Sequence, residues 1–513
     1  MLSRTRIVVL LMIASSLSAL AQDSHARAEK LRGVYQQKYE QKLVPMLTEV
    51  LRFPTVEGNT AARDQQQAWI ARVAPPLGLT VRNAGLVTEV ELPGPEGSPV
   101  LGLVVHGDMQ PVNEAEWHFP PFSGVEKNGV VYGRGAADDK GPLVQALLAM
   151  ASLKDSGIAR THTIRLLVGS DEESTNLDIT SYLKNHKAPE LSLVLDSAFP
   201  VVVGEKAWTA FTVTATDAYY LYLKGGRGFA ITHLDAGLAA SIVPSRAEAD
   251  LEWVGPDEDI EDAVHRIQNY AVPNGYRLEV KRNGKKITVI AYGHAAHAGV
   301  NLEGGRNALV LLAHALNGKV LDTRPADLLR FAAQAGSDIY GRGLDLPGKD
   351  PLWGNYAVNV ATIKADKQDA NKLTLTINIR ANPTLYGAPL RAHLEKQLAA
   401  FNAANNENFT AGGFYDDPPL AFDPNGKLVK RLMADYSRAT GENPPPAISG
   451  GGTYAKRLPN SIAFGMWFPG KPYPGHDVDE QITVKDLNRG VNVLLEALAD
   501  VACSPSIKDP FKP

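Results

Sequence analysis

Short apolar runs that end at a metal-ligand residue recur along this chain. Leu103-Val104-Val105 leads into His106-Gly107-Asp108, Ile164-Arg165-Leu166-Leu167-Val168 leads into Asp171-Glu172-Glu173, and Leu193-Val194-Leu195 ends at Asp196. Val130-Val131-Tyr132 runs through a glycine turn to Asp138, and Ile462-Ala463-Phe464 runs through a loop to His476. Apolar runs of this length, bounded by Gly and Asp, predict buried strands. In open α/β sheets ligands bind at the carboxyl ends of strands, so these five ends are expected to converge. Two His and three acidic residues then make a donor set for a pair of divalent cations, the signature of a dinuclear metallohydrolase.

The rest of the pattern divides the chain. From Ala28 to about Leu51 the spacing predicts a helix interrupted at Pro45 and ended by Phe53-Pro54-Thr55. Asp139-Lys140-Gly141-Pro142 opens a helix whose apolar positions Leu143, Leu147 and Met150 recur at helical spacing. Strands and helices alternate as far as Asp196, which predicts a mostly parallel sheet covered by helices. Near Glu205 the character changes. Thr212 to Thr216 and Leu373 to Ile379 alternate, and Arg277 to Val280 and Ile287 to Ile290 flank Asn283-Gly284, a hairpin signal. Helices are expected over Ala308 to Leu316 and Leu390 to Phe401, and the polar stretch Asn402 to Asp417 reads as a return linker. After Pro418 helix and buried strand resume and carry His476. The expected architecture is α/β: a mostly parallel sheet catalytic domain over residues 22–208 and 418–513, with an inserted α+β lid domain over 209–417.

A chain of 513 residues is long for one core, which agrees with two domains. The net charge of -4, without long blocks of either sign, argues against a nucleic-acid partner. Arg4 and Arg6 precede an apolar stretch from Ile7 to Leu20, and Ala19-Leu20-Ala21 is a small-residue cleavage site. Residues 1–21 therefore read as a signal peptide, with a periplasmic or secreted product that has no membrane attachment after cleavage. Cys503 is the single cysteine, so no intramolecular disulfide can form, and burial is expected for it rather than chemistry.

Within the acidic and histidine set, residue types suggest roles. In His106-Gly107-Asp108 both side chains point to one side of an extended chain, so Asp108 can hold the imidazole that binds metal. The glycines of Gly133 to Gly141 permit a tight turn exposing Asp138, which can bridge two cations, while Asp139 is expected to cap the following helix. Glu172 and Glu173 point to opposite sides of the backbone, which suits Glu173 as ligand and Glu172 as general base. Asp138, Glu173 and Asp196 with one hydroxide balance two divalent cations, so the set can be buried without a large desolvation penalty.

These motifs, together with Leu51-Arg52-Phe53-Pro54-Thr55-Val56, Trp117, Pro121-Phe122 and Gly475-His476, resemble in order and type the zinc metallopeptidase family that includes aminoacylase, glutamate carboxypeptidase and carnosinase. The likeness covers most of the mature chain and is greatest to the dipeptidase V type. It implies two Zn2+ ions per subunit, His106 and Asp196 on one, Glu173 and His476 on the other, Asp138 between them and Glu172 as base. Asp rather than Glu at position 196 is similar to the aminopeptidase and dipeptidase members. In the insert, Gly293-His294-Ala295-Ala296-His297 resembles the segment whose histidine steadies the oxyanion, which assigns His297 and leaves His294 structural. Arg380 resembles the arginine that takes the substrate's terminal carboxylate, and Gly451, Gly452 and Thr453 belong to a loop like the one that admits the substrate backbone. Ser241 stands where the family pattern has an asparagine. The resemblance to the dipeptidase V type, whose large lid completes the site within one chain, implies a monomer, with a dimer left open. The implied activity is that of an exported dinuclear zinc dipeptidase acting on dipeptides with a free N-terminal amine and a free C-terminal carboxylate. An N-acyl amino acid amidohydrolase of the same family shares every metal ligand and is the alternative.

Overall fold

The computed structural model describes residues 23–219 and 227–513. The expected signal peptide and its cleavage point lie outside these residues. The first sheet has six strands in the order Thr80–Ala84, Val87–Leu92, Thr163–Gly169, Val100–His106, Leu191–Val194 and Ser461–Ala463. The last four of these run parallel, and the first two form an antiparallel edge, so the sheet is mixed. The strand Val100–His106 is buried from Leu101 onwards, as a strand covered on both faces must be. Against this sheet lies the helix Lys140–Asp155, with every side chain from Lys140 to Leu153 buried. A helix apolar around most of its circumference is one that is buried all round. The helices Glu40–Val50, Lys427–Thr440 and Val484–Ala497 join the same core, which also takes in Cys503. Burial raises that thiol's pKa to about 11, in keeping with an inert cysteine.

The second sheet has eight strands, all antiparallel, in the order Arg277–Asn283, Lys286–Tyr292, Arg246–Val254, Gly228–Ala236, Ala357–Ala365, Leu373–Ala381, Ala207–Ala215 and Thr410–Asp417. It has a core of its own, to which the helices Ala308–Leu316 and Arg324–Ala335 contribute. Entry and exit strands are neighbours, Trp208 facing Asp417, so the insert leaves and returns to the catalytic domain at one point. Among the described residues no helix is long and apolar enough to cross a membrane.

Four sequence expectations need correction. The N-terminal helix is interrupted at Tyr39, and Pro45 sits inside the helix Glu40–Val50. Asn283 ends a strand paired with Lys286, so the hairpin loop is Gly284-Lys285, with Gly284 supplying the positive φ of 60°. The stretch expected as a linker is the end of the helix Gly387–Asn405 followed by the edge strand Thr410–Asp417. Its Asn and Gly content suits an edge that is half solvated and bulged where it meets Ala210 and Thr212. Asp139 occupies the position before the helix Lys140–Asp155, yet its side chain makes no cap and instead accepts the His106 amide at 3.1 Å.

Candidate metal centre

All four parallel strands deliver chemistry at one rim. His106 ends its strand, Glu172 and Glu173 follow Gly169, Asp196 follows Val194, and the chain leaving Ala463 reaches His476. Asp138 comes from the turn between the strand Val130–Tyr132 and the helix Lys140–Asp155. Two groups of donors result: His106, Asp138 and Asp196, and Asp138, Glu173 and His476, each with its ligand atoms within 4.8 Å of one another. Asp138 belongs to both. Its Oδ1 is 2.9 Å from His106 Nε2 and its Oδ2 is 3.3 Å from His476 Nε2, while Glu173 Oε1 is 3.1 Å from His476 Nε2.

The imidazoles show that this set fits metal. His106 Nδ1 donates to the Asp108 carbonyl at 3.1 Å and His476 Nδ1 to the Ser241 carbonyl at 3.3 Å. Each ring therefore turns Nε2 toward carboxylate oxygens. A neutral imidazole in that tautomer would aim a lone pair at another lone pair, so positive charge must lie between them. Burial alone would lower both histidine pKa values. The surrounding carboxylates, however, raise that of His106 well above its usual value and that of His476 to about 10. Burial and mutual repulsion raise those of Asp196 and Glu172. A pocket that holds protons this tightly is one built for cations.

A surrounding layer fixes the donors. Asp108 lies 3.5 Å from His106 Nδ1 and accepts the Glu173 amide at 3.0 Å, so it ties the two sides of the centre together. Three supports were not legible in the sequence. Buried Glu480 accepts the amides of Gly135, Ala137 and Asp138 at 3.1, 2.8 and 3.1 Å and pairs with Arg134 at 2.8 Å, which shapes the turn that presents Asp138. Gln110 donates to Glu173 Oε2 at 2.9 Å. Asp178 accepts the amides of Ser170 and Asp171 at 2.6 and 2.9 Å and the hydroxyl of Tyr454, which sets the turn before Glu172. Lys140, fully buried, donates to the carbonyl of Phe53 at 2.6 Å, and Thr55 donates to that of Gly107 at 2.6 Å. These bonds give the Phe53-Pro54-Thr55 motif its place behind the centre.

From the lid come His297 and Arg380. His297 Nδ1 accepts the amides of Gly299 and Val300 at 3.0 and 2.9 Å, which leaves the proton on Nε2. Burial, with the positive neighbours His476 and Arg380, holds its pKa well below the usual value, so the ring is a neutral donor. It stacks on His476 with centroids 4.3 Å apart. Arg380 is buried and, among the described residues, hydrogen-bonds only neutral partners: Asn378 Oδ1 at 2.9 Å, the Gly450 carbonyl at 3.3 Å and Ser241 Oγ at 3.2 Å. Burial lowers its pKa to about 10 and it stays charged. Ser241 also accepts the Trp208 indole at 3.1 Å, so the serine positions the guanidinium. Gly450 approaches Gly299 of the lid so closely that a Cβ on Gly450 would stand 1.8 Å from the Gly299 carbonyl oxygen. Gly451 and Gly452 line the cleft, and Thr453 lines it too, although its hydroxyl is given to Glu205 at 2.8 Å.

Two cavities meet at the centre. Both are lined by Glu172, Glu173, His297, Gly452 and Thr453; one continues to Ser241, Trp208 and Arg380, the other to Asp196, Tyr473 and Trp353. Such an arrangement can hold a molecule across the reacting groups with an anionic end on Arg380.

Comparison with known proteins follows this geometry. The model of peptidase family M20/M25/M40 matches residues 102–500. The candidate dipeptidase YtjP of Bacillus subtilis is 29% identical over 412 residues, 79% of this chain and 84% of that protein. A candidate dipeptidase of Staphylococcus epidermidis is 27% identical over 79% of this chain and 83% of its own length. Among solved structures, the di-peptidase Dug1p of Saccharomyces cerevisiae superposes with a TM-score of 0.59 at 14% identity, covering 94% of this chain and 100% of that one. Human carnosine dipeptidase 1 does so with a TM-score of 0.59 at 12% identity, covering 92% and 98%. These structures share the fold, a catalytic domain with a lid. With the model spanning both catalytic segments and the insert between them, the chain belongs to peptidase family M20/M25/M40.

Proposed function

We propose that the protein is an exported dipeptidase that works with two zinc ions and is complete as a monomer. The observation that carries this reading is Arg380, a buried guanidinium with no carboxylate partner among the described residues, at the end of a cavity that begins at Glu172. A substrate carboxylate would supply the missing partner as a bidentate pair. His106 and Asp196 would hold one zinc, Glu173 and His476 the other, and Asp138 both. Bound zinc would supply Lewis acidity and lower the pKa of a water at the centre.

The chain's own residues account for the rest. Glu172 lines both cavities, where a carboxylate can reach a water at the centre, and burial with the nearby carboxylates raises its pKa. It takes the proton of the attacking water and returns it to the leaving amine. His297 Nε2 donates to the carbonyl oxygen as negative charge builds there. Because His297 and Arg380 belong to the same chain as Glu172 and line the same cleft, no second subunit is required. Export rests on the pattern Arg4, Arg6, Ile7 to Leu20 and Ala19-Leu20-Ala21.

The test is a panel of free dipeptides and N-acyl amino acids assayed before chelation, after it, and after zinc return. Turnover that needs a free amine, is lost on chelation and is restored by zinc is expected. Preference for N-acyl amino acids would replace the dipeptidase reading with the amidohydrolase one.

A further inference from the structure

The cavity on the Asp196 side is walled in a way that peptide hydrolysis as such does not require. Trp353 comes from a lid loop folded by Asp350. Asp350 and Gly354 exchange backbone hydrogen bonds of 2.9 and 3.0 Å, and Asp350 Oδ1 accepts the amides of Leu352 and Trp353 at 2.8 and 2.9 Å. The indole reaches across to the catalytic-domain strand Val202–Glu205 at Gly204. A Cβ there would stand 2.6 Å from Trp353 Cη2 and 2.8 Å from Ile448 Cδ1. Gly204 is absent from the positive-φ glycines, so it is the approach of the ring that requires glycine at this position.

A second aromatic wall comes from the catalytic domain. Trp467 meets Tyr473 edge to face with centroids 5.6 Å apart, and Tyr473 meets His297 likewise at 6.0 Å. The Trp467 indole donates to the Lys471 carbonyl at 3.0 Å, which fixes the ring. Val300, 43% exposed beside His297, presents further apolar surface to the same cavity. Away from the metal centre the charged lining residues are Lys206 and Glu303. Both have partners: Lys206 donates to the Asn355 carbonyl, and Glu303 accepts the Tyr340 hydroxyl at 3.2 Å.

The geometry points to a specificity: this cavity selects a large apolar side chain, aromatic above all, on the amino-side residue of the substrate, and Trp353 sets the preference. The inference rests on the reading that Arg380 takes the carboxylate end, which leaves this cavity for the other residue. Flat aromatic surfaces held edge-on favour a ring between them, and a hydrophobic pocket separates substrates by about tenfold or more for each methylene-sized difference.

The experiment measures kcat/KM of the zinc-loaded enzyme for X-Ala dipeptides with X = Phe, Leu, Gly, Glu or Lys. Phe-Ala is expected to exceed Gly-Ala and Glu-Ala by at least about tenfold. A flat panel, or one led by Gly, Glu or Lys, overturns the proposal. In Trp353→Ala the Phe-Ala to Gly-Ala ratio is expected to collapse toward one, and in Trp353→Phe to persist. An unchanged ratio in Trp353→Ala, or loss of all activity in both variants, removes Trp353 from the selection. If no free dipeptide is cleaved, the dipeptidase reading fails by itself. The cavity is then scored on N-phenylacetyl-alanine against N-acetyl-alanine, where the same excess is expected, and the absence of any turnover in both series overturns both claims.

Discussion

The catalytic sheet and the lid sheet bring opposite charge to one cleft. Loops after parallel strands of the first deliver Glu172, Glu173 and Asp196, the turn before the helix Lys140–Asp155 adds Asp138, and the two histidines there are drawn into that negative field. Antiparallel strands of the second deliver a buried cation, Arg380, and the neutral donor His297. The physical reason lies in the backbone. Parallel strands end together, so loops after each can gather several carboxylates at one rim. An antiparallel sheet has no such common end, and the lid places Arg380 one residue before the end of the strand Leu373–Ala381 and His297 on the loop after Lys286–Tyr292. On the proposed reading, the division assigns metal and proton transfer to the catalytic domain and substrate charge to the lid.

Variants can break or sharpen that division. Glu172→Gln is expected to keep bound metal and lose about 100-fold to 10,000-fold in kcat. Metal analysis beside steady-state kinetics checks this, and retained activity would remove Glu172 from the mechanism. His297→Ala is expected to lose about 100-fold to 1,000-fold in kcat, again with metal content unchanged. Loss of metal in that variant would mean that the lid holds the centre as well as the substrate. Arg380→Lys keeps the charge but not the planar fork, and a rise in KM of about tenfold, larger than any fall in kcat, is expected.

A pH effect belongs to the catalytic side alone. Without cations, carboxylates hold the His476 pKa near 10, so its proton must leave when zinc binds. Zinc affinity is therefore expected to rise between pH 6 and pH 8, by up to about tenfold per pH unit for each proton displaced. A chelator competition series measures this; an affinity that falls as pH rises would contradict the sign.

The two regions also differed in how far the sequence revealed them. His106 and Asp196 were legible because each closes a short apolar run, a local signal, and Glu173 follows one closely, whereas Asp138 and His476 lie beyond a turn and a loop and were picked out by the motifs Gly133 to Gly141 and Gly475-His476. The helix Ala308–Leu316 was legible from its apolar spacing. Glu480 was not, since it supports the Asp138 turn across more than 340 residues of chain, and nothing near it in sequence marks the role. Asp178 with Tyr454 escaped for the same reason. The edge strand Thr410–Asp417 was hidden by its composition, because an edge needs little apolar character and Gly413 adopts a positive φ of 49° there. Asp139 read as a cap because a carboxylate before a helix usually is one; here the His106 amide competes for it and wins.

The central claim is that Asp138 joins two cation sites in one buried cluster. Elemental analysis of purified active protein, with activity followed through chelation and stepwise zinc return, tests it most directly. Two zinc ions per chain, with activity returning as they bind, is the predicted result, and full activity with no bound transition metal would contradict it.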